Sequence, residues 1–155
     1  GGFSYSPMGN GGWLVADLAT IDDAAMRAVV AAIRPTHFLF NGGMNDRFRD
    51  PAEFDANCRK VLDNIKAGAP RCKIVVIQSM HPGPTDTSNF VAFIPVKQQL
   101  AIDYGGQFLD ERTINANTAT YALANAAGYM QDGVHPTTAF NRDVIAPWLA
   151  DNVAW

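Results

Sequence analysis

The chain has 155 residues, of which 48% are hydrophobic and 17% charged, and a formal net charge of -3. That is long enough for one domain with a real core and too apolar for a disordered segment. The absence of any Lys/Arg cluster excludes nucleic acid and a polybasic membrane-binding face as partners, and no apolar run approaches the ~20 residues of a membrane span.

In chain order, residues 1–12 are rich in glycine and small polar residues, as at a strand end running into a loop. An apolar stripe begins at Trp13, Leu14 and Leu18. Thr20 followed by Asp23 predicts a helix start with an acid at the third helical position. Met26, Val29, Val30 and Ile33 follow at helical spacing. Arg34-Pro35 closes the helix, because the residue before proline avoids the helical region. His37-Phe38-Leu39-Phe40 predicts a short strand that stops at Asn41-Gly42-Gly43.

The next helix carries the strongest local signals. Asp50 is its cap, Pro51 takes the first helical position and Glu53 completes a capping-box pattern. Phe54, Cys58, Val61, Leu62 and Ile65 share one face, and Gly68 with Pro70 marks the stop. Lys73 to Gln78 is a β-branched run without alternation, as expected of a central parallel strand covered on both faces. A long loop over 80–89 precedes a helical pattern through Val96, Leu100 and Tyr104. Gln107-Phe108-Leu109 predicts a further short strand, and Ala119 to Ala127 another helix. The last helix begins after Pro136 and includes Val144, Ile145, Trp148 and Leu149, with Pro147 expected to kink or break it.

Strands alternating with helices predict a parallel sheet with right-handed crossovers. No internal repeat or linker divides the chain, so residues 1–155 are expected to form a single domain. In such sheets ligands bind beyond the C-terminal ends of the strands, and two motifs fall there. Gly43-Met44-Asn45-Asp46 directly follows the Phe38–Phe40 run; its glycine permits a sharp turn, and the Asn45 amide can donate to a developing oxyanion. Asp132-Gly133-Val134-His135-Pro136 precedes the final helix. A carboxylate three residues before an imidazole can accept its N–H, fix the tautomer and leave the other ring nitrogen as a general base. Taken singly, each motif also fits a plain capped turn.

Together, G-x-N-D after one strand and D-x-x-H-P about ninety residues later resemble two signature blocks of the SGNH (GDSL-like) hydrolases. Met8-Gly9-Asn10-Gly11-Gly12-Trp13 is similar to the glycine block of that family. The resemblance implies a flavodoxin-like three-layer α/β/α sandwich with a parallel sheet, and hydrolysis of an acyl ester through an acyl-enzyme. It implies His135 as base, Asp132 as its orienting partner and Asn45 as an oxyanion donor. A backbone N–H of Gly9, ahead of Gly11 or Gly12, is the second donor. It implies no metal and no organic cofactor.

The chain departs from the family in one respect: no Gly-Asp-Ser block carrying the nucleophile occurs. Ser4 and Ser6 lie too close to the glycine block, and Ser79, at the end of the predicted central strand, is not in a Gly-x-Ser-x-Gly elbow. The first strand of the sandwich is therefore expected to be missing from this chain. A companion N-terminal polypeptide, carrying the Gly-Asp-Ser block, is expected to complete it, since unpaired strand edges invite aggregation.

The substrate expected is an acylated small molecule or polysaccharide, with a short acyl group such as acetyl on a carbohydrate. A lipase or thioesterase of the same fold and a non-catalytic carbohydrate-binding domain are the alternatives. Abundant Asn, Thr and Gly with little Lys and Glu point to an extracellular or virion-associated protein. Cys58 and Cys72 form no CxxC pair and have no His cluster beside them, so a metal site is not expected; free buried thiols and a disulfide both fit. Trp13 is expected to pack in the core more readily than to stack on a sugar. His81, in the long loop, is expected to be exposed, and His37 structural.

Overall fold

The structure, a computed structural model, describes residues 12–80, 83 and 88–155. Three parallel strands form the sheet in the order β1-β2-β3: β1 His37–Phe40, β2 Lys73–Gln78 and β3 Gln107–Asp110. Phe38 pairs with Ile74 and Phe40 with Val76, while Val76 pairs with Phe108 and Gln78 with Asp110. β2 is central and buried from its second residue onward, as its unbroken apolar run predicts.

Alternate side chains of β2 face opposite ways, and each set has its own cover. Ile74 and Val76 join a core with Phe40, Phe54, Leu62, Ile65, Phe93 and Leu100. Apart from Phe40 of β1, these come from α3 (Pro51–Gly68) and α4 (Ser88–Asp103), with α1 (Val15–Ala19) and α2 (Asp23–Ile33) packed on α3. Val75 and Ile77 join Leu109 and Val153 under Trp148 and Leu149 of α7 (Ala146–Asn152). Helices thus cover both sides of a parallel sheet, which is the three-layer α/β/α arrangement.

α3 forms as its caps predict. Asp50 accepts from the N–H groups of Ala52 and Glu53, and all five residues of the predicted face are buried. Gly68 acts differently from a left-handed stop. It is the last helical residue, and a Cβ there would lie 2.7 Å from the Arg27 carbonyl oxygen, so it permits close contact between α3 and α2.

Other expectations are corrected. Thr20 closes α1 by donating to the Asp17 carbonyl, while Asp22 caps α2 by accepting from Ala25 N–H. Only Met26 and Val30 of the α2 stripe are buried; Val29 and Ile33 are exposed. Pro147 does not break the final helix. α6 (Thr138–Phe140), a π-helical turn (Asn141–Ile145) and α7 run on without interruption. A π-turn is wider than an α-turn, and it lies where the proline ring would otherwise meet the carbonyl four residues back. Cys58 and Cys72 are both buried free thiols; burial pushes both well up from the ordinary thiol range.

The last residues cross the starts of all three strands. His37 Nε2 and Lys73 Nζ reach the Ala154 carbonyl at 3.1 and 2.9 Å. Gln107 accepts from Ala154 N–H and donates to the Asn152 carbonyl. The His37 ring meets Trp155 edge-on at 5.0 Å, so His37 is structural, as expected.

Candidate active site

Two loops at the C-terminal ends of the strands carry the predicted residues. The first leaves β1 through Gly42 and Gly43. A Cβ on Gly42 would lie 2.6 Å from a Val15 methyl, and Gly43 has φ +107, so this backbone bends against α1 in a way only glycine allows without strain. Asp46 is buried at 2% exposure, and both its carboxylate oxygens accept from Val15 N–H, at 3.0 and 3.1 Å. Asn45 Nδ2 donates to the Trp13 carbonyl at 3.0 Å. The turn is thereby pinned to segment 13–15 by two consecutive residues. An amide nitrogen has two donors, so one Asn45 N–H is committed to Trp13 and a second remains to offer.

The second loop presents Asp132 and His135. Its stems are held together: Met130 and Pro136 form an antiparallel bridge, Gln131 N–H donates to the His135 carbonyl at 2.8 Å, and Thr137 N–H donates to the Tyr129 carbonyl at 2.8 Å. Met130 and Phe140, one on each side of the loop, are buried in a second core with Met80, Ala124 and Ile145, where the Tyr129 and Phe140 rings stack at 4.2 Å. At the tip, Asp132 Oδ1 accepts from Val134 and His135 backbone N–H, each at 2.7 Å, and Oδ2 lies 2.9 Å from His135 Nδ1. The His135 backbone N–H, then its ring, then Val134 N–H pull the Asp132 carboxyl down to about 2. The carboxylate is therefore charged at neutral pH. It selects the tautomer with the proton on Nδ1 and leaves the Nε2 lone pair outward. The His135 side chain is 73% exposed, so Nε2 is reachable.

The two loops share one end of the sheet. Gly83, in the loop that leaves β2, donates its N–H to the Gly133 carbonyl. Ser79, at the end of β2, donates to Asn41 Oδ1 just beyond β1, at 2.6 Å.

Of the other expected site residues, Gly9 and Gly11 lie outside the described residues, as do Ser4, Ser6 and His81. Gly12 has φ +88 and is exposed. Trp13 is 40% exposed and not in the core, because its backbone turns inward to Asn45 and leaves the ring outside. Among the described residues no His/Cys/Asp/Glu group could hold a metal ion, and no helix is long and apolar enough to cross a membrane. A cleft between Pro35–Thr36 and Pro70–Cys72 lies at the opposite end of the strands from Asn45, Asp132 and His135.

Three features escaped the sequence reading. Phe48 is 60% exposed, and Arg47 lies 4.5 Å over its ring while donating to the Met44 carbonyl; both residues sit in plain view directly after Asp46. Lys97 and Glu111 are buried charges beneath the loops. The signal for Lys97 was present, since Phe90, Phe93, Lys97 and Leu100 share one helical face and all four are fully buried.

No protein-family model and no curated protein matches the chain. Solved structures do. A carbohydrate esterase family 3 protein from Talaromyces cellulolyticus is similar at 21% identity and TM-score 0.61, over 90% of this chain and 68% of that one. A GDSL-like lipase from Parabacteroides merdae is similar at 19% identity and TM-score 0.68, over 90% and 68%. An acetyl-xylooligosaccharide esterase from Geobacillus is similar at 18% identity and TM-score 0.62, over 93% and 70%. The fold is that of the SGNH-type hydrolases, as the two motifs implied.

Proposed function

We propose that this chain is the His/Asp-bearing part of a serine esterase that removes a short acyl group, such as acetyl, from a carbohydrate. The observation that carries the proposal is the Asp132–His135 pair, an oriented imidazole with a free outward nitrogen. In this reading His135 Nε2 takes the proton of a serine hydroxyl as its oxygen attacks the ester carbonyl. The free N–H of Asn45 donates to the resulting oxyanion, with a backbone N–H of Gly9 as second donor. His135 then passes its proton to the leaving alcohol. A water attacks the acyl-enzyme by the same route in reverse, releasing the acid and restoring the serine.

The serine is proposed to lie on a companion N-terminal polypeptide that precedes this chain. Ser79 Oγ is already engaged with Asn41. Among the described residues β1 pairs on one side only, and Val29, Ile33 and Leu39 are exposed apolar side chains on α2 and β1. An added strand at β1 would cover groups of this kind. A carbohydrate substrate is supported by two residues with exposed rings, Phe48, three positions after Asn45, and Trp13, whose backbone carbonyl accepts from the Asn45 amide, since flat aromatic faces suit sugar rings. Likenesses to carbohydrate and acetyl esterases point the same way.

The test uses the full gene product, including whatever precedes Gly1. A fluorophosphonate probe should label a serine upstream of this chain, p-nitrophenyl acetate should be cleaved faster than the octanoate, and His135→Ala should abolish both reactions. Near-normal turnover in His135→Ala, or no labelling of the intact protein, overturns the proposal; the latter result favours a non-catalytic carbohydrate-binding domain.

A further inference from the structure

We propose that Lys97 is a positioning residue for the turn that carries Asn45, its buried ammonium lying beneath Gly43 and donating to the Ile77 carbonyl. The proposal rests on Asn45 acting as an oxyanion donor, and adds the group that holds it in place. Lys97 Nζ lies 3.0 Å from the Ile77 oxygen at the end of β2. A Cβ on Gly43 would lie 3.4 Å from both Cε and Nζ of Lys97. One side chain of α4 thus touches the end of β2 and the turn after β1 together.

The groups that face this ammonium come from every neighbouring element. They are Asp46 in the turn, Cys58 on α3, and Asp110 and Glu111 where β3 ends; the Phe90 ring centroid is 6.0 Å away. Burial lowers the Lys97 pKa to about 8, with the neighbouring carboxylates acting against the shift while the Cys58 thiol stays neutral, so the ammonium form predominates at neutral pH.

A buried ammonium is a costly way to fill space. An apolar side chain of equal length would pack as well and avoid the desolvation. What the charge supplies is a counter-ion for Asp46. Burial raises the Asp46 pKa, while Val15 N–H and the charges of Lys97 and Arg49 hold it down. Ionised, Asp46 holds Val15 N–H with both oxygens, and the adjacent Asn45–Trp13 bond depends on that alignment. With Lys97 neutral or absent, Asp46 takes a proton more readily, its grip on Val15 loosens, and Asn45 loses its fixed direction.

The experiment compares Lys97→Met and Lys97→Gln with the unaltered protein by NMR, each as the full gene product including whatever precedes Gly1. In both variants Asp46 should protonate at a pH about one unit higher, and amide-exchange protection at Val15 should fall about tenfold. Lys97→Met should be no less stable to urea. Unchanged Asp46 titration and Val15 protection in either folded variant overturns the proposal and leaves Lys97 as packing alone. In the unaltered chain, a Lys97 amine that is already neutral at pH 7 overturns it as well. These readouts need no ester, so they stand or fall apart from the esterase reading. Where full-length protein turns over substrate, both variants should lower kcat at least tenfold with little change in KM.

Discussion

Replacing Glu111 with glutamine should stabilise the protein at pH 8 and do almost nothing at pH 4. Glu111 is 4% exposed, and its Oε2 accepts from Met80 N–H at 3.3 Å. Burial, the largest influence, pushes its pKa from 4.5 up to about 7, against the opposing pull of Met80 N–H and Lys97. A carboxyl that holds its proton more tightly when folded favours folding only while protonated. Its contribution is lost as the pH climbs from about 4.5 to about 7, and it remains lost above that. At about 1.4 kcal/mol per pH unit, that interval corresponds to about 3 kcal/mol. Glutamine keeps an acceptor for Met80 and removes the charge, but Lys97 then loses a counter-charge. That attraction is already contained in the raised pKa, so the expected gain at pH 8 stays at about 3 kcal/mol. Urea unfolding of both proteins at pH 4 and pH 8, with unchanged m-values, measures the difference directly. A loss of stability at pH 8, or an equal gain at both pH values, refutes the assignment of Glu111 as a strained buried charge.

Asp46→Ala should lower stability by about 1–3 kcal/mol, because Val15 N–H is left buried without an acceptor; thermal unfolding checks it. Gly68→Ala forces a methyl against the Arg27 carbonyl at 2.7 Å and should cost about 1–3 kcal/mol as α2 and α3 separate, read from urea midpoints. In full-length enzyme, Asn45→Ala should lower kcat by about 100- to 1000-fold while thermal unfolding stays near that of the parent. Phe48→Ala removes an exposed ring, so stability should hold within about 0.5 kcal/mol while KM for acetylated oligosaccharides rises severalfold and that for p-nitrophenyl acetate does not.

The sequence displayed the parts of the fold whose local and tertiary demands agree. Asp50-Pro51 starts α3 as its capping chemistry requires, and β2 shows its central position in four consecutive β-branched residues, Ile74 to Ile77, that supply apolar side chains to both faces. The Asp132–His135 contact was legible because it spans three residues and needs no distant partner. Where several residues could satisfy one role, local pattern was insufficient. Thr20 and Asp22 both suit a cap, and tertiary packing of the short α1 gave the second the task. Val29 and Ile33 fit a helical stripe, yet the described residues leave both about half exposed. The link from the loop after β2 to the His135 loop, through Gly83 and Gly133, joins residues fifty apart in sequence and leaves no mark in the motif that carries His135.

The knot of bonds around Ala154 bears on how the molecule assembles. His37, Lys73 and Gln107 meet residues 152–154 across sequence separations of 117, 81 and 47, and the first two close the longest loops among the described hydrogen bonds. Contacts of that kind bear the greatest chain-entropy cost and form late. The sheet therefore gains its first clamp from α3 and α4 on one side, while the opposite side waits for the tail. A chain shortened to end at Asp151 should retain the earlier half and expose Val75 and Ile77, a hydrophobic strip open to dye binding and to association with other copies.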